Sequence, residues 1–116
     1  MIKIITRSNN INHPLLDKMK SFIPKDICET WTGYDDWMDA VNFIYDVIEK
    51  ESGIVILLDY DCFIYDWKAV EKLVKYVIDN NISHCGMPDG GTVVTRGASW
   101  VVMNPFFCIL NLDVIK

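Results

Sequence analysis

The stretch that decides the fold is Ile54-Val55-Ile56-Leu57-Leu58-Asp59-Tyr60-Asp61, an apolar run that ends in two acidic residues around a tyrosine. Consecutive apolar residues leave no solvent-facing side, which is typical of a strand covered on both faces in the middle of a parallel sheet. The sequence therefore predicts a central strand over residues 54 to 58. The triplet Asp59-Tyr60-Asp61 then falls at the carboxyl end of that strand.

Helical patterns flank this strand on both sides. Between residues 35 and 50, apolar residues recur at three- and four-residue steps; they are Trp37, Ala40, Val41, Ile44, Val47 and Ile48. Between residues 66 and 80, Asp66 can cap a helix with a second apolar stripe, made of Val70, Leu73, Val74, Val77 and Ile78. Strands that alternate with helices of this length predict an α/β fold, with a Rossmann-like, mainly parallel sheet and flanking helices.

The other segments fit the same alternation. A helix is predicted to open at His13-Pro14 and to end at Pro24, because proline suits a first helical turn and stops a last one. Short strands are predicted at 2–5, 27–31, 82–87, 92–95 and 100–103, the last of them broken by Asn104-Pro105. Residues 106 to 115 fit either a strand or a helix. With no linker or repeat, residues 1 to 116 are predicted to form a single domain.

Composition limits the classes of function. The 116 residues suffice for one hydrophobic core. The net charge of −5 argues against nucleic acid as a partner, since phosphate binding needs clustered Lys and Arg. No apolar run is long enough to span a bilayer and no secretory leader is evident, so we expect no membrane span and a cytoplasmic location. The four cysteines are far apart in sequence and are expected to be reduced and free of metal.

The acidic triplet carries the chemistry. In an extended chain, residues two apart point to the same side, so Asp59 and Asp61 can address one site. Mg²⁺ and Mn²⁺ prefer oxygen ligands, and Mg²⁺ typically takes one or two carboxylates with phosphate oxygens and water. Ligands of open α/β sheets bind outside the carboxyl ends of the strands. The pattern therefore indicates a site for Mn²⁺ or Mg²⁺ and the diphosphate that the cation carries.

Two stretches resemble the donor-binding part of GT-A glycosyltransferases. The more specific one runs from Asp39-Ala40-Val41-Asn42-Phe43-Ile44 through Gly53 to Ile54-Val55-Ile56-Leu57-Leu58-Asp59-Tyr60-Asp61-Cys62-Phe63. The looser one is 86–111, with Asp89-Gly90-Gly91, Arg96 and Asn104-Pro105-Phe106-Phe107. The resemblance implies a GT-A-like domain whose Asp-x-Asp motif binds a nucleotide-sugar donor through a divalent metal and passes the sugar to an unknown acceptor.

The resemblance also implies roles for individual residues. Asp61 would be the direct metal ligand, and Asp59 would contact the ribose or the donor sugar while it supports the metal. Thr6 and Arg7, at the end of the first strand, would lie near the nucleotide base. A loop rich in glycine holds Asp89, which is the candidate for a catalytic role at an acceptor hydroxyl, although turn chemistry also explains an Asp-Gly pair.

This chain departs from the family in length and in its second half. GT-A enzymes are usually much longer, and their acceptor half supplies a catalytic base for which no clear match is found here. Three interpretations stay open: a fragment that lacks a further domain, a truncated relative of the family, or a domain whose acceptor site a partner chain completes.

Two other classes remain open. An apolar strand followed by Asp59-Tyr60-Asp61 also resembles the first motif of haloacid-dehalogenase-type phosphatases, in which the first aspartate is the nucleophile and the second the acid and base. In those phosphatases the motif usually lies near the N-terminus and is joined by later Lys and acidic residues. The third class is a non-catalytic α/β interaction domain, in which the triplet is only the polar end of a buried strand.

Overall fold

The computed structural model of the chain describes residues 2–33, 38–88 and 103–116. Strands and helices follow one another in the order β1 (Ile2–Arg7), α1 (Pro14–Lys20), β2 (Cys28–Trp31), α2 (Asp39–Lys50), β3 (Ile54–Leu58), α3 (Trp67–Asp79), β4 (His84–Pro88), β5 (Met103–Asn111) and α4 (Leu112–Ile115). No helix within these ranges is both long and apolar enough to cross a membrane.

The strands form a five-stranded mixed sheet in the order β2-β1-β3-β5-β4. Strand β1 pairs in parallel with both β2 and β3, and β5 runs antiparallel to both β3 and β4. Four of the strands therefore point the same way, and β5 alone opposes them. The predicted α/β fold is confirmed, with β3 in the middle of the sheet.

Burial on both faces explains the apolar run of β3. Ile54, Ile56 and Leu58 belong to a core cluster that also contains buried residues of α1 and α3. Val55 and Leu57 point the other way, into a second cluster that contains buried residues of α2. All five side chains are buried, and each stabilises the fold by about 1.5–3 kcal/mol relative to an exposed side chain.

Helix α3 confirms most of its predicted pattern, but Ile78 of the predicted apolar stripe is exposed. The Asp66 side chain accepts a hydrogen bond of 3.1 Å from the backbone N–H of Ala69, so the predicted cap is confirmed. The residues of α3 that are buried against the sheet are Val70, Val74 and Val77.

Helix α2 faces the sheet differently from the prediction. Its described part begins at Asp39, and the buried residues of the helix are Asp39, Phe43 and Val47. The predicted stripe residues Val41 and Ile44 are exposed. Periodicity alone favoured the broader apolar stripe, but the buried face of α2 also contains Asp39, whose carboxylate accepts a hydrogen bond of 2.6 Å from the Asn9 side chain.

Strand β5 corrects the predicted break at Asn104-Pro105, because both residues lie inside the strand. The pairing of β4 with β5 is irregular here: Gly86 is paired with Cys108, and the next residue of β4 is paired with Asn104. Pro105 lies in the stretch that this irregularity skips, where a missing N–H removes no bond of the ladder. The ambiguous segment 106–115 is a strand through Asn111 and then a short helix. The predicted strand 92–95 lies outside the described residues.

Candidate functional site

The acidic triplet occupies a tight turn at the carboxyl end of β3. The backbone N–H of Asp59 donates to the Phe106 carbonyl at 2.9 Å, which extends the contact with β5 by one residue. The backbone N–H of Cys62 then donates to the Asp59 carbonyl at 3.0 Å, the bond that closes a four-residue β-turn. The expected extended geometry of the triplet is therefore wrong, because strand pairing stops and the chain turns.

The turn nevertheless brings charged groups together. Burial raises the pKa of Asp59, the negative charge of Asp61 raises it further, and the positive charge of Arg7 lowers it. Asp59 thus lies within electrostatic reach of both a second carboxylate and a guanidinium. The same two carboxylates, together with a larger effect of burial, raise the pKa of the Cys62 thiol.

A cavity of about 400 Å³ opens beside the turn. It is lined by Arg7, Ser8, Asn9, Asn10, His13 and Tyr60. The rings of His13 and Tyr60 lie 4.6 Å apart between centroids. Because the His13 Nδ1 accepts a hydrogen bond of 3.2 Å from the Leu15 N–H, its ring is held at the start of α1. The cavity therefore combines a cation, amides and a fixed aromatic pair.

Asn9 joins the loop after β1 to the loop after β2. Its side-chain NH₂ donates to the Asp39 carboxylate at 2.6 Å, and its side-chain carbonyl accepts from the Gly33 N–H at 2.7 Å. Gly33 has no room for a larger residue, since an added Cβ would lie 2.3 Å from the Trp31 ring. These contacts anchor one wall of the cavity to α2.

The loop after β1 is also braced by short-range hydrogen bonds. The Ser8 hydroxyl donates to the Asn10 carbonyl at 2.9 Å, and the Asn10 side chain accepts from the Asn12 N–H at 3.1 Å. The Ser8 N–H donates to the Trp31 carbonyl at 3.0 Å. None of these three loop residues, Ser8, Asn9 and Asn10, was among the predicted site residues. Polar residues directly after a strand end were the available signal for a binding wall.

The residues predicted for the site separate into groups. Arg7 and Asp61 lie within electrostatic reach of Asp59 at the carboxyl ends of β1 and β3, and of these three residues only Arg7 lines the cavity. Thr6 is fully buried, is absent from the cavity lining, and its Oγ1 makes no hydrogen bond within the described part of the chain. Asp89, the predicted catalytic candidate, lies outside the described residues.

The two carboxylates of Asp59 and Asp61 suit a hard divalent cation whose remaining ligands are phosphate oxygens and water. Within residues 2–33, 38–88 and 103–116, no group of three or more His, Cys, Asp or Glu side chains is arranged to hold a metal ion. Asp59 and Asp61 supply two carboxylates, and Mg²⁺ typically takes no more from a protein when phosphate oxygens and water complete its shell. Arg7 offsets one of the two negative charges, so a divalent cation would make this group net positive.

Comparison of the chain with models of known protein families, with characterised proteins and with solved structures finds no match. The described fold defines a small α/β domain with a five-stranded mixed sheet.

Proposed function

We propose that this chain is a GT-A-type glycosyltransferase domain that binds a nucleotide-sugar through a divalent cation. In this proposal Asp61 is the direct ligand of Mn²⁺ or Mg²⁺, and Asp59 supports the ion while it contacts the ribose or the sugar. The observation that carries the proposal is the turn at 59–62 at the carboxyl end of the central strand, where Asp59 lies within electrostatic reach of both Asp61 and Arg7. When bound, the cation supplies charge that stabilises a departing diphosphate.

The cavity beside the turn supports the same ligand. The His13–Tyr60 pair offers aromatic surface for a base, and the amides of Asn9 and Asn10 offer both donors and acceptors. Arg7 is suited to a phosphate or to a base edge because its guanidinium presents several donors in one plane. Thr6 keeps its proposed place near the base only as a buried support, since its side chain does not reach the cavity surface.

Calorimetry tests the donor site directly. We expect the wild type to bind UDP in the presence of Mn²⁺ and to lose that binding when the metal is removed. Asp61→Asn should weaken Mn²⁺-dependent binding about tenfold or more, and Asp59→Asn should weaken it less, because the amide removes the charge that a hard cation seeks. Asp26→Asn is the matched control, because Asp26 is exposed and lines a different cavity from the candidate site. Asparagine also tolerates the positive φ of 67° at this position.

The outcomes separate the three classes of function. Equal binding by the wild type and Asp61→Asn in excess Mn²⁺, with UDP and with the other common nucleoside diphosphates, would exclude the metal site. Hydrolysis of p-nitrophenyl phosphate that disappears in Asp59→Asn would instead identify a phosphatase. No metal-dependent nucleotide binding in the wild type would leave an interaction domain whose acidic residues only end a strand.

A further inference from the structure

A second cavity, of about 360 Å³, opens at the amino end of β3, at the opposite end of the strand from Asp59. Gly53 and Ile54 form one part of its lining, and residues from the ends of α3 and β5 and from α4 form the rest. In the described part of the chain, it shares no lining residue with the cavity beside the acidic triplet. Its volume is that of a small-molecule site, and it is separate from the proposed donor site.

Asn111 places an amide in this second cavity. The residue is only 6% exposed, and its backbone N–H donates to the Ser83 carbonyl at 2.8 Å. Its side chain does not cap the short helix that follows, and it makes no hydrogen bond to any residue within 2–33, 38–88 and 103–116. Buried polar groups almost always have a partner. Because Asn111 lines the cavity, a ligand there can supply the partner that its amide lacks.

Two further polar side chains line the cavity, Asn81 and Asp113. The Asp113 carboxylate accepts a hydrogen bond of 3.1 Å from the Gly53 N–H, which holds it in place and leaves one of its oxygens for a ligand. Among the described residues, no Lys or Arg lines the cavity, and the last turn of α3 contains no basic residue. Lys116, close by in sequence, donates to the Glu51 carbonyl instead. The charge of Asp113 and the negative end of the α3 dipole therefore favour a cation.

Aliphatic side chains complete the lining and indicate what kind of cation fits. Ile54 is buried at the start of β3, whereas Ile78 and Val114 are 50% and 41% exposed. A hydrated metal ion gains nothing from such a wall, and the described residues contain no group of three or more His, Cys, Asp or Glu that could hold one. An organic cation can bury its alkyl part on the wall while its charged head meets the polar side chains.

We propose that this second cavity binds a primary alkylamine in its protonated form. An alkylammonium carries three N–H donors and no acceptor, so it can donate to the Asp113 carboxylate and to the side-chain carbonyls of Asn111 and Asn81. Its alkyl chain packs on Ile78 and Val114. An anionic ligand would instead meet the like charge of Asp113. Free amines and the lysine side chains of other molecules both offer this chemistry.

NMR titration of the isotope-labelled protein at neutral pH tests the site. The amine n-butylamine should cause saturable shifts at the Gly53 N–H and at the Asn111 side-chain amide, because both residues line the cavity. The alcohol n-butanol has nearly the same size and no charge, so it should bind about tenfold more weakly or less tightly still. Equal binding of Nα-acetyl-lysine methylamide would support a lysine side chain as the ligand, and binding of n-butylamine alone would support a free amine.

Substitution of Asp113 tests the role of charge. Asp113→Asn keeps an acceptor oxygen for the Gly53 N–H but removes the negative charge, so it should weaken amine binding about tenfold. Asp26→Asn removes the same charge from a different cavity and should leave amine binding unchanged.

Substitution of Asn111 separates binding from folding. Asn111→Leu has a similar shape and no polar side-chain atom, so it should abolish amine binding. The variant should unfold at the same temperature as the wild type or higher, because the amide loses no partner within the protein.

The inference is overturned if n-butylamine shifts neither reporter, or if n-butanol binds as tightly as the amine. It is also overturned if Asp113→Asn binds the amine as the wild type does. A lower unfolding temperature of Asn111→Leu would overturn it too, because the amide would then be bonded within the protein. The donor site is judged separately by calorimetry with UDP and Mn²⁺, since the two cavities lie at opposite ends of β3.

Discussion

The backbone N–H of Cys62 donates to the carbonyl oxygen of Asp59 across 3.0 Å, and this bond closes the turn that carries both acidic side chains. On the other side, the Asp59 N–H donates to the Phe106 carbonyl at 2.9 Å. Backbone bonds therefore hold the turn, and none of them depends on the side chains at positions 59 and 61. Substitutions of these carboxylates should change the electrostatics of the site while the turn is kept.

The first prediction concerns the titration of Asp59. Because Asp61 raises its pKa and Arg7 lowers it, Asp61→Asn should lower the pKa of Asp59 and Arg7→Gln should raise it further. NMR titration of the Asp59 carboxyl carbon measures both changes. Asp26→Asn should leave the titration unchanged, and shifts of the opposite sign would show that the three groups are not neighbours.

The raised pKa of Asp59 also predicts a pH dependence of stability. The folded chain holds this proton more tightly than the unfolded chain, so ionised Asp59 lowers the free energy of unfolding above its folded pKa. Because Asp59 is exposed and solvent screens its charge, Asp59→Asn should be as stable as the wild type at neutral pH or more stable by no more than about 0.5 kcal/mol. The difference should vanish below the ordinary value of 3.8. Urea unfolding of the wild type and Asp59→Asn at neutral pH and below pH 3.8 measures this difference. A variant that is less stable than the wild type at neutral pH would contradict the prediction.

The second prediction uses the buried hydroxyl of Thr6. Its Oγ1 has no hydrogen-bond partner among the described residues, and the side chain is fully buried. Thr6→Val keeps the shape and removes this unpaired group, so it should raise the free energy of unfolding by about 1 kcal/mol. Thr30→Val on the paired strand is the control and should change stability by less than about 0.5 kcal/mol. A destabilised Thr6→Val would mean that the hydroxyl is bonded in solution.

The third prediction concerns the cysteines, all four of which are free thiols. Burial raises the pKa of Cys108 to about 11, so iodoacetamide at mildly alkaline pH should modify it most slowly. Mg²⁺ bound at Asp59 and Asp61 should lower the pKa of Cys62 and speed its alkylation, because it offsets two of the charges that raise that pKa. Peptide mass spectrometry follows each thiol, and Cys28 is the internal control. Saturating Mg²⁺ that leaves Cys62 unchanged would place the ion elsewhere.

The fourth prediction tests the anchor beneath the cavity. An added Cβ at Gly33 would lie 2.3 Å from the Trp31 ring and 2.7 Å from the Asp39 carboxylate. Gly33→Ala should therefore lower the free energy of unfolding by about 1–3 kcal/mol. Gly53 has open space around it and a φ of 70°, so Gly53→Asn serves as a comparison that should cost less. Thermal unfolding compares the variants, and equal losses would contradict the steric argument.

Local patterns were sufficient to predict β3 and α3. The unbroken apolar run of Ile54 to Leu58 and the cap at Asp66 depend on residues close in sequence, and both are confirmed. The rotation of α2 could not be predicted in the same way. The buried face of α2 includes Asp39, whose carboxylate is hydrogen-bonded to Asn9, 30 residues away in sequence.

The candidate site was predicted in part for a related reason. The positions of Arg7, Asp59 and Asp61 after predicted strands indicated that they share one edge of the sheet. The Asp59 N–H at the start of the turn is bonded to Phe106 of β5, and the antiparallel direction of β5 cannot be predicted from the pattern of apolar residues. The cavity also contains the ring contact between His13 and Tyr60. These residues are far apart in sequence, so local sequence patterns cannot predict the contact.

The place of β5 in the sheet has a consequence for the growing chain on the ribosome. Strand β4 is made before β5, yet its hydrogen-bonded neighbour in the sheet is β5, which also covers one side of β3. A nascent chain that has reached the end of β4 can pair β2, β1 and β3, but it leaves an unpaired edge on the most apolar strand of the fold. Such edges pair readily with other chains. Aggregation should therefore be greatest during the interval before β5 emerges, and slow translation between residues 88 and 103 should prolong it.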